Sequence, residues 1–226
     1  MANVIKIKKG LDINLKGKAS DVLLNGGKSD SYAIVPDYYN GSVLMIDKNR
    51  PEIKFVSPVS GEVTAVNRGE KRKVLSVVVK PEAQIEYEDF GKKNVASLKR
   101  EEVKEAILHA GMWPFIKQRP YDIIATPADM PKAIFVSGFD SAPLAPDFDI
   151  TLADELTALQ SGIDCLKKLC GKNANLNLKE GTPSTSVFAK LKNVDVNYFA
   201  GPHPAGNAGI QIHHLNPINK GEIVWV

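Results

Sequence analysis

Cysteine and histidine are scarce in this chain of 226 residues, which holds two cysteines and four histidines. A disulfide framework or a zinc site needs these residues clustered at fixed spacings, and the sequence holds no such cluster. Cys165 and Cys170 lie five residues apart in a predicted helix, so their side chains point in different directions and cannot easily form a disulfide. The sequence therefore predicts no metal or iron–sulfur centre built by this chain alone.

Long apolar runs are also missing. The longest have four residues, at Tyr32–Val35, Val43–Ile46, Ala133–Val136 and Ile223–Val226, whereas a bilayer span needs about 20 predominantly apolar residues. The first nine residues alternate apolar side chains with lysines and lack the apolar centre of a secretory signal. These features predict a protein that does not cross a membrane and stays in the cytoplasm.

A strong net charge is absent as well, since 29 basic and 26 acidic residues leave a balance of +3. That charge is too small for the basic patch of a nucleic-acid-binding protein. It is unevenly divided: residues 1–100 carry 18 basic and 12 acidic side chains, whereas residues 101–226 carry 11 and 14. We therefore expect two halves of different kinds and no nucleic acid among the partners.

Two hydrophobic patterns divide the chain near Ser97. Before it, short apolar runs alternate with turn signals such as Gly26-Gly27, Asn40-Gly41 and Ser60-Gly61, as in a small all-β sandwich or barrel. After it, helices alternate with short buried strands, as in βαβ units. The fold class predicted is α/β, with a β domain over residues 1–96 followed by a Rossmann-like α/β domain over residues 97–226.

Helix and strand signals in the second half are specific enough to set bounds. One predicted helix begins with Ser97 as its cap and stops at Gly111; another begins at Thr151 and stops at Gly171. A shorter helix is predicted over Ser186–Leu191. Four strands complete the pattern: Lys132–Gly138, Leu176–Leu178, Val194–Phe199 and Glu222–Val226. Because the last of these ends the chain without a polar tail, we expect a piece of a longer protein.

The segment from Val43 to Val63 resembles the hairpin of biotinyl and lipoyl carrier domains, in which a lysine at a tight turn is displayed for attachment. Here that lysine is Lys48, and Ser57-Pro58-Val59-Ser60-Gly61 follows as the next strand. Residues 49–52 enlarge the loop, so a ligase is not expected to recognise it. The prediction is a solvated turn lysine on a carrier-like barrel-sandwich fold; a biotinyl or lipoyl adduct on Lys48 in the intact mass would overturn it.

A basic hairpin tip is predicted at residues 68–73, where Arg68, Lys71, Arg72 and Lys73 are concentrated. A charge run of this kind is usually a solvated turn. The functional hypothesis is a docking spot for anionic lipid headgroups or for an acidic partner surface, because each basic residue near a charged membrane contributes about 1 kcal/mol.

The stretch Gly111-Met112-Trp113-Pro114 resembles the end of a glycine-rich flavin-binding loop from the NADH-binding subunits of respiratory complexes. Close approach of backbone to a phosphate requires residues without Cβ and a helix N-terminus aimed at the anion. Trp113 and Pro114 fill that space instead, and no G-x-G-x-x-G pattern follows residue 97. The sequence therefore predicts that the fold is retained without a bound nucleotide.

The most distinctive stretch is residues 199–207, which leaves a predicted parallel strand and enters a probable helix. Open α/β sheets place their ligands at such strand ends. Gly201, Gly206 and two prolines stiffen the backbone around His203. An imidazole titrates near neutral pH, so a histidine held this way is a candidate to donate a hydrogen bond to a quinone carbonyl and to carry protons.

Two further histidines follow in the probable helix. His213 and His214 point to different faces of it, and we expect one of them to cap or satisfy a core group. For all three histidines a structural role is weighed above direct chemistry, and no residue is proposed as catalytic.

Taken together, these motifs resemble the N-terminal half of the NqrA family, whose members are subunits of the sodium-translocating NADH:quinone oxidoreductase. The resemblance runs through residues 5–12, 57–61, 67–69, 119–120, 131–136 and 201–206 to Ile212-His213-His214-Leu215. It implies a peripheral subunit on the cytoplasmic side of the bacterial inner membrane, soluble when isolated. It further implies a complex that passes electrons from NADH to ubiquinone and exports sodium.

The same resemblance implies that this chain binds no cofactor. NAD, flavin and the 2Fe–2S cluster then belong to other subunits, one of them membrane-embedded, and ubiquinone is a possible substrate. It also implies a scaffold and docking role, a further ubiquitin-like region beyond Val226, and no NADH oxidation by the isolated chain.

Two alternatives stay open at this point. One is an oxidoreductase domain that keeps a flavin or NADH in its α/β half, and the other is a biotinyl or lipoyl carrier module. A flavin absorbance band or thermal stabilisation by NADH would favour the first, and an adduct on Lys48 would favour the second.

Overall fold

A computed structural model describes residues 4–6, 43–47, 49–57, 59–72, 74–84 and 86–226. For residues 4–6 and for Arg72 the description covers the backbone alone. Within these ranges, no helix combines the length and the apolar character that a bilayer crossing requires.

Eleven strands and four α-helices are found in the described residues. The strands are β1 Val4–Lys6, β2 Val43–Ile46, β3 Lys54–Val56, β4 Gly61–Arg68, β5 Val74–Pro81, β6 Lys117–Arg119, β7 Ile123–Ile124, β8 Phe135–Ser137, β9 Ala174–Lys179, β10 Val194–Ala200 and β11 Val224–Trp225. The helices are α1 Arg100–His109, α2 Phe148–Thr151, α3 Leu156–Cys170 and α4 Ala208–Leu215.

The chain forms two compact units. One, which we call the α/β unit, comprises residues 1–13, 93–104 and 115–226; the other, the β unit, comprises residues 14–92 and 105–114. Strand β1 therefore belongs to the α/β unit although it lies far from that unit in sequence.

The β unit contains two antiparallel hairpins, β2–β3 and β4–β5. The hairpin predicted around Lys48 is thereby confirmed, although Lys48 itself lies outside the described residues, as do the turn signals at Gly26-Gly27 and Asn40-Gly41. Ile53, Val56, Val77 and Trp113 are buried in this unit. Burial of such side chains is the main favourable term for a small β fold.

Helix α1 begins at Arg100, later than predicted. Ser97 ends a short 3₁₀ turn and donates its hydroxyl hydrogen to the Asn94 carbonyl, so it does not cap the helix. The N–H of Lys99 instead bonds to the Glu102 carboxylate at 2.7 Å. The predicted stop at Gly111 is confirmed: its φ is +69°, and a Cβ there would collide with the Val56 side chain.

Four parallel strands form the main sheet of the α/β unit, in the order β1-β10-β9-β8. Leu176 and Leu178 of β9 point to one face, where they pack with Ile163 of α3 and with Phe188. Asn177 points to the other face, toward α4. The predicted βαβ organisation is thus confirmed for β8, β9 and β10, with helices on both faces.

The last predicted strand was assigned to the wrong sheet. Strand β11 pairs antiparallel with β6, and β7 completes that three-stranded sheet. A bridge between Trp225 and Ile134 connects it to the residue before β8. The fourth strand of the parallel sheet is β1. An apolar strand pattern shows that a strand is buried but does not show which strand it pairs with.

The helix predicted from Thr151 is two helices. Asp147 caps α2 by accepting from the Asp149 N–H at 2.9 Å, and Thr151 lies in its last turn. Helix α3 then starts at Leu156 and ends at Gly171, whose φ of +69° confirms the predicted stop. The predicted helix start at Thr151 is therefore wrong, because Asp147 already caps the first of the two helices. The shorter predicted helix is reduced to a 3₁₀ turn, Phe188–Lys190.

Candidate functional site

Three loops meet at the carboxyl edge of the parallel sheet. They follow β8, β9 and β10 and comprise residues 138–147, 180–187 and 201–207. Parallel strands end at one edge of their sheet, so loops far apart in sequence converge there. The stretch around His203 leaves β10 and enters α4, as predicted.

A cleft of about 440 Å³ lies between the first and third loops. Ligand sites of proteins span roughly 300 to 1,000 Å³, so the cleft can hold a small planar molecule. Its lining combines backbone and side chains from all three strand ends: Phe139, Asp140, Ser141, Ala142, Leu144, Ala145, Lys179, Glu180, Phe199, Ala200, Gly201, Pro202 and His203. A second cleft of about 410 Å³ adjoins it and shares Phe139, Asp140 and Lys179.

His203 is held in the cleft by Ser141. The Ser141 hydroxyl oxygen lies 3.1 Å from His203 Nδ1 and accepts the backbone N–H of Gly206 at 2.7 Å. One hydroxyl therefore joins the loop after β8 to the loop after β10 at two points. His203 is half-buried, so its ring is both supported and accessible.

Gly206 is required at its position. A Cβ there would collide with the backbone nitrogen of Ser141 and lie 2.9 Å from the Asp140 carbonyl carbon. Gly206 is itself buried, and its N–H is the one that Ser141 accepts. Its role is thus close approach of two loops rather than contact with a ligand.

A buried polar network lies beneath the same loop. Gln211 of α4 and Asn177 of β9 are both fully buried, and the Asn177 amide donates to Gln211 Oε1 at 3.0 Å. Gln211 Nε2 lies 3.3 Å from both Ser137 Oγ and the Ala205 carbonyl oxygen. Since each buried polar group needs a partner, this network fixes Ala205, the residue next to Gly206.

The wall facing His203 is partly apolar. Leu144 lines the cleft with 67% of its surface exposed, and its φ of +62° lies in the left-handed region. A branched apolar residue seldom adopts that conformation and costs about 1–3 kcal/mol there. With Phe139 and Pro202 it gives the cleft an apolar part, and Asp140, Lys179 and Glu180 add charged groups to the lining that holds the His203 ring.

The helix N-termini near the sheet edge are poorly suited to phosphate. Asn207 caps α4 with its own side chain, which accepts the Gly209 N–H at 2.8 Å. Helix α3 begins beside two exposed acidic residues, Asp154 and Glu155. A phosphate site at a helix N-terminus needs free N–H groups and a positive field. At α4 the Asn207 side chain already takes one of the N–H groups, and at α3 the two acidic residues oppose a positive field.

His213 and His214 do not join the site. Both are exposed on α4, with their ring centroids 5.3 Å apart in an edge-to-face arrangement. His214 Nδ1 lies 2.8 Å from the Ile210 carbonyl oxygen one turn earlier. Neither side chain is buried, so neither satisfies a core group; of the two predicted roles, only a contact with a carbonyl near the end of the helix is found, at His214.

The basic residues at 68–73 lie at the connection between β4 and β5, which is the predicted hairpin tip. Lys71 is exposed, with a φ of +53° in a 3₁₀ turn, and Arg68 is exposed at the end of β4. Arg72 is described by its backbone alone, and Lys73 lies outside the described residues.

Three features near other predicted sites have simple structural accounts. Trp113, in the stretch that resembles the end of a glycine-rich flavin-binding loop, is fully buried. Burial raises the pKa of the Cys165 and Cys170 thiols, which makes both poor nucleophiles at neutral pH. The pKa of Asp47, beside the Lys48 turn, is lowered. The largest cause is a hydrogen bond from the backbone N–H of Asn49, and the second is one from the Arg50 side chain. Among the described residues, no three His, Cys, Asp or Glu side chains are placed to hold a metal.

Sequence reasoning missed Ser141 and Gln211. Both are isolated polar residues, and a serine after a strand or a glutamine within a helix carries no motif. One signal was available for Ser141: the stretch Phe139-Asp140-Ser141 directly follows the predicted strand Lys132–Gly138, at the edge where ligands bind. Gln211 shows its role only once α4 is packed on the sheet.

Comparison with known proteins bears on the whole chain. The family description "NqrA second alpha/beta domain" matches residues 98–226, and "NqrA N-terminal barrel-sandwich hybrid domain" matches residues 5–42 and 39–82. These matches confirm the predicted fold class, a barrel-sandwich hybrid domain followed by an α/β domain. The boundary at residues 96 and 97 stays a prediction.

Similar proteins include the NqrA subunits of the Na⁺-translocating NADH-quinone reductases of Glaesserella parasuis serovar 5 (strain SH0165) and Vibrio vulnificus (strain YJ016). They are 32% and 34% identical to this chain over 240 residues, which is 98% of the chain in both cases. The chain spans 54% and 53% of their lengths, about half. By these matches the chain belongs to the NqrA family of Na⁺-translocating NADH-quinone reductase subunits.

Proposed function

We propose that this chain serves as a scaffold and docking subunit of a complex that transfers electrons from NADH to ubiquinone and exports sodium. It lies peripherally on the cytoplasmic side of the membrane, against a membrane-embedded subunit. NAD, flavin and the 2Fe–2S cluster are carried by other subunits. Support comes from family membership over almost the whole chain, together with the names of the relatives.

The proposal includes a contact with quinone at the cleft beside His203. The observation that carries it is the pairing of His203 with Ser141 in a cleft that also presents Leu144 and Phe139. A quinone is a flat apolar ring with two carbonyl acceptors, so it needs apolar walls and one hydrogen-bond donor. An imidazole N–H supplies that donor, and aliphatic and aromatic side chains supply the walls.

The helix termini support a site for an uncharged ligand rather than a nucleotide. Asn207 already satisfies the first turn of α4, and Asp154 and Glu155 place negative charge where a pyrophosphate would bind to α3. Like charges at a helix N-terminus oppose anion binding. The isolated chain is therefore proposed not to oxidise NADH.

Titration of the chain with a short-chain ubiquinone tests the quinone contact. We expect saturable binding with one quinone per chain, lost in His203→Ala and retained in His109→Ala, which removes an exposed histidine from the β unit. Absence of saturable binding would reject the contact and leave the loop as scaffold. Thermal stabilisation by NADH, or a flavin absorbance band in the purified protein, would favour the nucleotide-binding alternative.

The docking role of the β4–β5 tip is tested separately. Charge reversal of Lys71 and Arg72 to glutamate is expected to weaken association with anionic vesicles or with the other subunits. Reversal of Lys92 and Lys93, two exposed lysines elsewhere, is the matched control. Equal binding by both variants would contradict the hypothesis.

A further inference from the structure

Ser141 occupies a position that neither its sequence context nor the family resemblance assigns to it. Its hydroxyl contacts the titratable ring of His203 in the cleft and, at the same time, the backbone of the loop that bears that ring. A hydroxyl has one hydrogen to donate and two lone pairs to accept with. The Gly206 N–H takes one lone pair, so the hydroxyl keeps its hydrogen and a second lone pair, and that hydrogen can be donated to His203 Nδ1.

We infer that Ser141 is a positioning residue that fixes the ring plane of His203 and keeps the proton on Nε2. When Nδ1 accepts from a hydroxyl, the neutral imidazole must carry its hydrogen on the other nitrogen. The donor toward a carbonyl in the cleft is then Nε2–H. The function of this tautomer rests on the proposed quinone contact. The tautomer itself, with the proton on Nε2, needs no ligand.

The surrounding backbone is built to hold Ser141 in place. A Cβ at Gly206 would collide with the backbone of Ser141. The loops after β8 and β10 are therefore as close as their backbones allow. Asp140 Oδ1 accepts the Ala142 N–H at 2.8 Å and closes a turn around Ser141. Gln211 holds the Ala205 carbonyl of the same loop. The loop is thus anchored at His203 and at the backbone of Ala205 and Gly206, which follow it.

The first measurement needs no quinone. The chain is labelled with ¹⁵N at its four histidines, and His203→Gln identifies the signals of His203 by their loss. In the unsubstituted chain we expect a protonated Nε2 and a bare Nδ1, with well-separated shifts. Ser141→Ala should bring the two shifts together, as in a ring that exchanges between tautomers, and Ser141→Thr, which keeps the hydroxyl, should restore the separation.

The second measurement is the short-chain ubiquinone titration on the same variants. Ser141→Ala should weaken binding about tenfold, the size expected for one hydrogen bond that is no longer oriented, and Ser141→Thr should recover most of it. Ser161→Ala is the matched control, because it removes an exposed hydroxyl from α3 in the same unit. Thermal unfolding of each variant shows whether the fold is kept.

The outcomes separate the two claims. Altered ring shifts in Ser141→Ala without quinone binding by any variant would keep the positioning role and reject the proposed quinone contact. Unchanged ring shifts in a folded Ser141→Ala chain, or a proton on Nδ1 in the unsubstituted chain, would overturn the positioning role whatever the titration shows.

Discussion

The two faces of the parallel sheet are built on different principles. On the face toward α3, Leu176 and Leu178 pack among apolar side chains of the helix and of the 3₁₀ turn. On the face toward α4, Asn177 and Gln211 are fully buried and satisfy each other and their neighbours with hydrogen bonds. Both faces exclude water, but only the second one controls a loop of the candidate site.

The difference shows how a sheet separates stability from positioning. Apolar packing is non-directional and adds stability roughly in proportion to buried area. Hydrogen bonds are directional and costly to leave unmade, so a buried amide pair adds little net stability but defines where its partners lie. The α3 face therefore holds the unit together, and the α4 face holds Ala205 and, with it, the histidine loop.

The largest effect is expected on the apolar face. Leu176→Ala should lower the free energy of unfolding by about 2–5 kcal/mol, because it leaves a cavity in a fully buried cluster. The measurement is urea unfolding followed by Trp225 fluorescence in a Trp113→Phe background, which reports on the α/β unit. Ile150→Ala, at a side chain 76% exposed, is the control and should change little. A small loss at Leu176 would contradict the assignment of stability to this face.

A smaller loss with a different signature is expected on the polar face. Gln211→Leu keeps the approximate volume but deprives the Asn177 amide and the Ala205 carbonyl of a partner, at about 1–3 kcal/mol for such groups. The backbone amide hydrogens of residues 201–207 should also exchange faster with solvent. Leu176→Ala should not speed this exchange when the two variants are compared at equal stability. Gln160→Leu, at a half-exposed amide whose partners reach water, is the control. Equal exchange in the two core variants would remove the distinction between the faces.

Two glycine substitutions are expected to change the free energy of unfolding in opposite directions, which sharpens the comparison. Gly206→Ala should destabilise the α/β unit by about 1–3 kcal/mol through the collision with Ser141. Gly162→Ala, in the middle of α3 where a Cβ meets nothing within 4 Å, should stabilise it by up to about 1 kcal/mol. Both are read from the same unfolding curves. If Gly206→Ala did not destabilise the unit, close loop approach would not be the reason for glycine at position 206.

The smallest effect is expected at an exposed ion pair away from both faces. Lys132 Nζ lies 2.7 Å from Glu222 Oε2, and this hydrogen bond is the main reason that the pKa of Glu222 is lowered. A lowered carboxyl pKa in the folded state stabilises it above the usual pKa, and the contribution disappears as pH falls through the folded value. Glu222→Gln should thus reduce stability slightly at pH 7, and the difference from the unsubstituted chain should disappear as pH falls below the lowered pKa of Glu222. A constant difference across that range would assign the effect to packing.

Local patterns predicted most of the elements of the α/β unit but fewer of their partners. Gly111 and Gly171 end helices as expected, since a left-handed residue there is a local requirement. The predicted helix starts at Ser97 and Thr151 were wrong, because α1 begins where the Lys99 N–H bonds to Glu102 and α2 begins where Asp147 accepts the Asp149 N–H. His203 was found from its prolines and glycines, whereas His213 and His214 were grouped with it only by nearness in sequence.

The amino-acid sequence by itself determined the two kinds of domain, the family and the stiff histidine loop at a strand end. These follow from periodicity and from short motifs, which act over a few residues. Only the tertiary structure decided that β11 leaves the parallel sheet while β1 joins it, and that Ser141 and Gln211 both anchor the loop. Strand partners, and hydrogen bonds such as that between Ser141 and Gly206, 65 positions apart, are set by packing of the whole unit, for which no local pattern is required.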